Sequence, residues 1–217
     1  DLLMARPPKD WDVATSARPE EVRGIFRRTI PTGIEHGTVT VRVGGLGVEV
    51  TTFRKEGRYS DHRHPDEVEF TQDLRADLER RDLTINALAL DHRGQLHDPL
   101  GGLADLVGGI VRAVGDPEER FNEDALRLLR VVRFAARFGY TIEPRTEAAL
   151  SRCSGLIRHI SWERIREEMS GMLLTARPAW ALNVLRLTGL LAHIWPELLE
   201  GVGVAQNVHH AYTVWGH

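Results

Sequence analysis

Two different periods of hydrophobic and polar residues run along this chain of 217 residues. Up to about Asp116 the apolar positions come in short alternating runs, the period-two signature of half-buried strands. "WDVAT" (11–15) predicts a short strand, and "ARPEEVRGIF" (17–26) a helix with Pro19 in its first turn. "GTVTVRV" and "VEVTTF", joined by a Gly-rich turn at Gly44 to Gly47, predict a hairpin of β-branched residues. The polar stretch "RKEGRYSDHRHP" (54–65) has no periodicity and predicts a mobile loop. "VEFTQD" predicts a further short strand, and "LALDHRGQLHDP" a hairpin turning at His92 to Gly94. In "LERRDLTINALAL", Thr84 and Asn86 stand polar among apolar neighbours, as at a locally capped helix start. In "HDPLGGLADL", Asp98-Pro99 and Gly101-Gly102 force a tight turn into a helix. Beyond Asp116-Pro117 the period lengthens to that of helices, through "EDALRLLRVVRFAARFGY", "PRTEAALSRCS", "SWERIREEMSGMLLT" and "AWALNVLRLTGLLAHIW". The economical fold class is α+β, a mixed head followed by a helical extension.

Composition narrows the class without identifying the chemistry. The chain is 42% hydrophobic and 27% charged, as in ordinary soluble proteins, and no apolar run is long enough to span a membrane. No secretory signal is visible at this N-terminus. Cys153 is the single cysteine, which excludes an internal disulfide and suits a reducing cytoplasm. With a net charge of -3 the chain as a whole is no electrostatic glue for nucleic acid. Of its 28 basic residues only Lys9 and Lys55 are lysine. A GC-rich genome would produce that bias. Arginine is also the planar fork suited to phosphates and base edges, so position must decide.

Two constellations carry candidate chemistry. In "PPKDWDVAT", Asp10 and Asp12 are two apart, and on a strand such residues share a face roughly 6.6 Å apart. Taken alone the pair reads first as a solvated edge strand, and only second as the cradle of a divalent cation. On a helix from Asn122, Leu128, Leu129, Val132, Ala135 and Ala136 fall on one arc, and Arg127, Arg130, Arg133 and Arg137 on the opposite one. Glu123 and Asp124 occupy the first turn, where the helix dipole favours acids. This pattern fits a surface helix with i,i+3 pairing. It also sets Asp124 and Arg127 one turn apart, a fixed acceptor beside a fixed donor. Cytosine and adenine both present an exocyclic amino donor next to a ring-nitrogen acceptor, which such a pair complements. Uracil and guanine would meet it donor to donor and acceptor to acceptor, leaving polar groups unpaired. The arginines that follow could hold a triphosphate or an RNA backbone.

Five pieces in order, "DLLMARPPKDWDVAT", "VEVTTFR", "RRDLTINALA", "DPLGGLADL" and "EDALRLLRVVRFAARFGY", resemble class II tRNA nucleotidyltransferases (CCA-adding enzymes) and bacterial poly(A) polymerases. The resemblance spans residues 1 to about 175. It implies a polymerase-β-like nucleotidyltransferase head at 1–116, an all-α neck with the base-reading helix at 117–177, and the start of a helical body at 178–217. Asp10 and Asp12 match the family's metal-binding catalytic carboxylates, holding two Mg²⁺ ions. Arg81, Asp124, Arg127, Arg130 and Arg133 match nucleotide-binding positions. Glu49 is a candidate third carboxylate. The implied substrates are CTP, ATP and the 3′ end of tRNA, in the cytoplasm. The RNA 3′-hydroxyl would attack the α-phosphorus and release pyrophosphate. In this family, loss of part of the 54–65 loop accompanies CC-only addition. Here the loop looks full length, which favours CCA or terminal-A addition.

The family's Gly-Gly-x-x-Arg piece, expected just before Asp1, is not in the sequence, and a chain without it is expected to be poorly active. "NVHHAYTVWGH" reads either as a His-rich tail or as the entry to an HD-type phosphohydrolase domain with His217 as first ligand. The alternatives are poly(A) or CC-only addition, a non-catalytic RNA-binding module, and hydrolysis by a downstream HD domain.

Overall fold

The computed structural model describes residues 2–8, 10–57, 59 and 67–216. It divides into two compact units, residues 1–58 with 65–80 and residues 59–64 with 81–217.

The first unit is a mixed sheet with short helices. Strands β1 (Asp12–Thr15), β2 (Thr29–Gly33), β3 (Thr38–Val43) and β4 (Leu46–Thr52) lie in the order β1-β4-β3-β2. β1 runs parallel to β4, with Asp12 opposite Glu49 and Val13 opposite Val50. β3 and β4 form the predicted hairpin, with Val39 opposite Val50 and Val41 opposite Val48. Side chains alternate across a sheet, so this register puts the valines on one face. There Val39, Val41 and Val50 are buried with Val22 of helix α1 (Pro19–Ile25), and Val48 packs against them. Asp12, Glu49 and Thr40 stand in a row on the other face.

The 54–65 segment begins differently from the expected loop. Arg54–Glu56 is strand β5, paired antiparallel with β6 (Val68–Phe70). Phe70 lies over Gly37, whose φ is +83°, and a Cβ there would come 2.7 Å from the ring. Residues 58 and 60–66 are outside the described residues, and the expectation about loop length falls on them. Helix α2 (Leu74–Glu79) closes the unit, capped by the Asp73 carboxylate accepting from the Arg75 amide at 2.9 Å.

The second unit is helical. A 3₁₀ turn (Thr84–Asn86), the predicted hairpin β7 (Ala89–Leu90) and β8 (Leu96–His97), and α3 (Gly102–Gly108) lead into it. The Asp98 carboxylate accepts from the Gly102 and Leu103 amides at 2.7 and 2.9 Å, which fixes the start of α3. β9 (Ile110–Val111) pairs in parallel with β10 (Thr141–Ile142). Helices α4 (Pro117–Glu123), α5 (Arg127–Phe138), α6 (Pro144–Cys153), α7 (Trp162–Leu173), α8 (Pro178–Leu187) and α9 (Leu190–Ile194) follow. Sequence character changes at Asp116, whereas packing divides the chain at Arg80–Arg81. The reason is visible in the core, where Leu83, Ile85 and Val111 are buried with Phe121, Leu129 and Val132.

The expected single helix from Asn122 is two helices. Asp124 has extended backbone (φ −135°, ψ 106°), and its Oδ1 accepts from the Leu126 amide at 3.0 Å. A short acidic side chain that bonds its own following backbone competes with helical continuation. No helix among the described residues is long and apolar enough to cross a membrane.

Candidate active site

Asp12 opens β1 on the polar face of the sheet, abreast of Glu49. Asp10 precedes the strand, so the expected strand extension to it does not form. The carboxylates of Asp10, Asp12 and Glu49 are exposed and make no hydrogen bond or ion pair with another described residue. Among the described residues no group of three or more His, Cys, Asp or Glu side chains is arranged to hold a metal ion, and Glu49 stands opposite Asp12 on the adjacent strand.

The helical unit holds the other expected residues. Asp124 and Arg127 meet across one turn, where the Arg127 amide donates to the Asp124 carbonyl at 3.0 Å. Each side chain is held by another residue. Arg164 of α7 grips Asp124 with two donors, at 3.3 and 2.9 Å. Arg127, which is buried, donates to Glu123 at 2.6 Å and to the Arg120 carbonyl at 3.3 Å. Glu123 also pairs with Arg120.

The expected outward arginines are engaged rather than splayed into solvent. Arg130 donates to Asp82 at 2.7 Å, and Arg133 to Glu168 of α7 at 2.5 Å. Glu168 also lies 4.0 Å from Arg130. Both guanidiniums lie against the Phe134 ring, 5.4 and 4.7 Å from its centroid. Gly171 makes room for this arrangement, because a Cβ there would come 2.8 Å from Cδ of Arg133. Arg81 donates to the Asn86 carbonyl at 3.2 Å.

Asp82 anchors the network. It accepts from the Leu83 amide at 2.8 Å and from the Asn86 amide group at 3.1 Å, besides Arg130. Burial opposes its ionisation more than any other single influence. The Arg130 charge and the hydrogen bonds from Asn86, Arg130 and Leu83 together outweigh it, and the carboxyl lies below the usual carboxylate range. A depressed acid stabilises the fold fully above its unfolded pKa of about 3.9, and loses that contribution as pH falls through the lower folded value. Asp82→Asn is therefore expected to cost about 2 kcal/mol at neutral pH, with the gap to wild type narrowing below about pH 4. Urea melts at stepped pH check it, and a gap independent of pH would contradict it.

Sequence reasoning missed Asp82, Arg164 and Glu168. Asp82 was in view inside "RRD". On α7 the buried positions are Ile165, Glu168, Met169 and Met172. An acid within an apolar i,i+3,i+4,i+7 stripe was the available signal that a cation faces it.

Comparison with known proteins places the chain in a family. The family described as "Poly A polymerase head domain" matches residues 1–112. "Probable RNA and SrmB- binding site of polymerase A" matches residues 139–201. A protein of Anoxybacillus flavithermus named CCA-adding enzyme is 48% identical over 198 residues, covering 91% of this chain and 50% of its own length. One of Lactobacillus helveticus with the same name is 54% identical over 172 residues, covering 79% and 43%. The chain thus spans about half the length, or less, of these curated relatives. The crystal structure of Bacillus stearothermophilus CCA-adding enzyme in complex with CTP superposes with a TM-score of 0.83 at 45% identity, covering 89% of this chain and 47% of that one. A tRNA nucleotidyltransferase complexed with a primer tRNA and an incoming ATP analog gives a TM-score of 0.74 at 29% identity, covering 95% and 58%. Matched by the head-domain family over residues 1–112 and by a relative 48% identical across 91% of this chain's length, the chain belongs to the poly A polymerase head domain family, the group of CCA-adding enzymes and poly(A) polymerases that its motifs resemble.

Proposed function

We propose that the protein containing this chain adds C and A from CTP and ATP to the 3′ end of tRNA without a nucleic-acid template. The observation that carries the proposal is the single turn uniting Asp124 and Arg127, with the carboxylate 18% exposed and therefore reachable by a base edge. Asp124 accepts from the exocyclic amino group, and Arg127 donates to the adjacent ring nitrogen. Uracil or guanine would leave a desolvated donor or acceptor unpaired, at a cost of about 1–3 kcal/mol for each group. Arg130 and Arg133, each paired to a carboxylate, brace the reading turn rather than offering a full charge to the triphosphate. Arg81 is left as a candidate contact to the incoming nucleotide.

The chemistry is assigned to the sheet. The O3′–Pα bond forms, the bond from Pα to the bridging oxygen breaks, pyrophosphate leaves, and the hydroxyl proton passes to solvent. Asp10 and Asp12 fit magnesium by donor type: they are hard oxygen ligands, exposed, and their carboxylates are engaged by no cation among the described residues. Two carboxylates leave coordination positions for phosphate oxygens and water. Bound there, Mg²⁺ would acidify the hydroxyl and offset charge on the transferring phosphate. Asp12, fixed by the β1–β4 register, sets the position of this cradle on the strand end.

The test uses the full-length protein, tRNAs ending before C74, C75 or A76, each labelled NTP, and Mg²⁺. Addition of C and then A is expected. A alone, added only after CC, would make it an A-adding enzyme, and long A tails a poly(A) polymerase. No incorporation with any substrate would overturn the proposal.

A further inference from the structure

The Asp124 carboxylate reaches its position with most of its accepting capacity already used, and one partner accounts for most of that use. A carboxylate offers about four lone-pair positions. Oδ1 receives the Leu126 amide at 3.0 Å and Nη1 of Arg164 at 3.3 Å. Oδ2 receives Nη2 of Arg164 at 2.9 Å. Among the described residues that leaves a single open position, on Oδ2. A two-point guanidinium grip also fixes the plane of the carboxylate, which a point cation would not. We infer that Arg164 is a specificity-determining positioning residue, which reduces Asp124 to one acceptor of fixed direction matched to one exocyclic amino N–H of cytosine or adenine. The inference rests on the base-reading role proposed above.

Arg164 lies 40 residues along the chain from Asp124, on α7, so the reading turn is set from a neighbouring helix. Helices α5 and α7 are further tied through Arg133 and Glu168 at 2.5 Å. Without Arg164 the carboxylate is free to turn about its terminal torsion. One attraction then open to it is Arg130, whose charge already feels Asp124. Turned that way, Oδ2 no longer presents its open position to a base. The loss falls on discrimination between bases, because the groups that act on the triphosphate are untouched.

The experiment compares full-length wild type, Arg164→Lys, Arg164→Gln and Asp124→Ala. The measurements are kcat and KM for CTP, ATP and UTP on a tRNA ending at position 73, with a thermal melt of each variant. Lysine keeps the charge and the aliphatic stem, so it isolates the two-point grip. The expected result is a fall of about 10-fold in the CTP:UTP ratio of kcat/KM for Arg164→Lys, at least as large for Arg164→Gln, with KM for CTP raised. A merely structural role would lower incorporation of all nucleotides together and leave the ratio unmoved, which overturns the inference. If Asp124→Ala lowers the ratio and both Arg164 variants keep it, the inference alone fails. If Asp124→Ala keeps it too, the base-reading role fails first. A variant that melts early is judged on the same ratio, below its melting temperature.

Discussion

Replacing Asp12 by alanine is expected to reduce nucleotide incorporation by about 10³-fold or more while leaving the protein as stable as before. The activity loss follows from removing one of two carboxylates proposed to hold the catalytic cation, a contribution of several kcal/mol to the barrier, or about a thousandfold. The stability result follows from geometry. The Asp12 carboxylate is exposed, makes no hydrogen bond or ion pair with a described residue, and stands abreast of Glu49 on the adjacent strand. Like charges directly opposite on neighbouring strands repel, so the alanine variant without metal is expected to melt at or slightly above wild type, by no more than about 0.5 kcal/mol. An acid that weakens the fold and serves the reaction is the usual trade at a functional site. Paired activity assays and urea melts check both halves. Full incorporation by the variant would eliminate the metal assignment.

Gly102→Ala is expected to be the most destabilising of the substitutions considered. A Cβ on Gly102 would lie 2.1 Å from the Thr84 carbonyl oxygen and 2.8 Å from its carbon. Neither backbone can retreat cheaply. The Thr84 amide donates to the Arg112 carbonyl at 3.0 Å, its carbonyl accepts from the Ala87 amide at 3.0 Å, and its hydroxyl donates to Asp105 at 2.7 Å. Asp105 is in turn gripped by Arg112 at 2.9 and 3.1 Å, and the Gly102 amide is bound to Asp98. Overpacking against a pinned backbone costs about 3 kcal/mol or more, which lowers Tm by roughly 6–12 °C for a chain of this size. Gly101 is the control. Its φ of +74° calls for glycine, but its Cβ position is open. Gly101→Asn is therefore expected to cost only about 1 kcal/mol. Equal melts for the two variants would contradict the close-approach argument.

Much of the architecture was legible because long periods report burial directly. The stripe Leu128, Leu129, Val132, Ala135 and Ala136 is buried, as the helical spacing predicts. The alternating valines of β3 and β4 put their apolar face in the core. Short elements escaped, since β9 and β10 are two residues each and carry no period. β2 contains Pro31 and a register shift between Ile30 and Gly33, and a proline demotes a strand in any sequence reading. The break at Asp124 was hidden because an acid there looks like the favourable first turn of a helix, whereas its side chain turns back to accept from the Leu126 amide just before a new one. In the candidate site the residue types on one turn, Asp124 and Arg127, were legible from spacing. Their holders were not, because Arg164 reaches Asp124 across 40 residues and Arg130 reaches Asp82 across 48. Burying a charge requires a partner, but sequence does not say which one.

The account stands on the idea that protein side chains, and no template, choose the nucleotide. The most direct measurement is the CTP:UTP ratio of kcat/KM for the full-length Asp124→Ala variant on a tRNA ending at position 73, beside wild type. One lost hydrogen bond to a desolvated partner predicts a ratio lower by about 10- to 100-fold, with the fold retained. A ratio equal to that of wild type would contradict it.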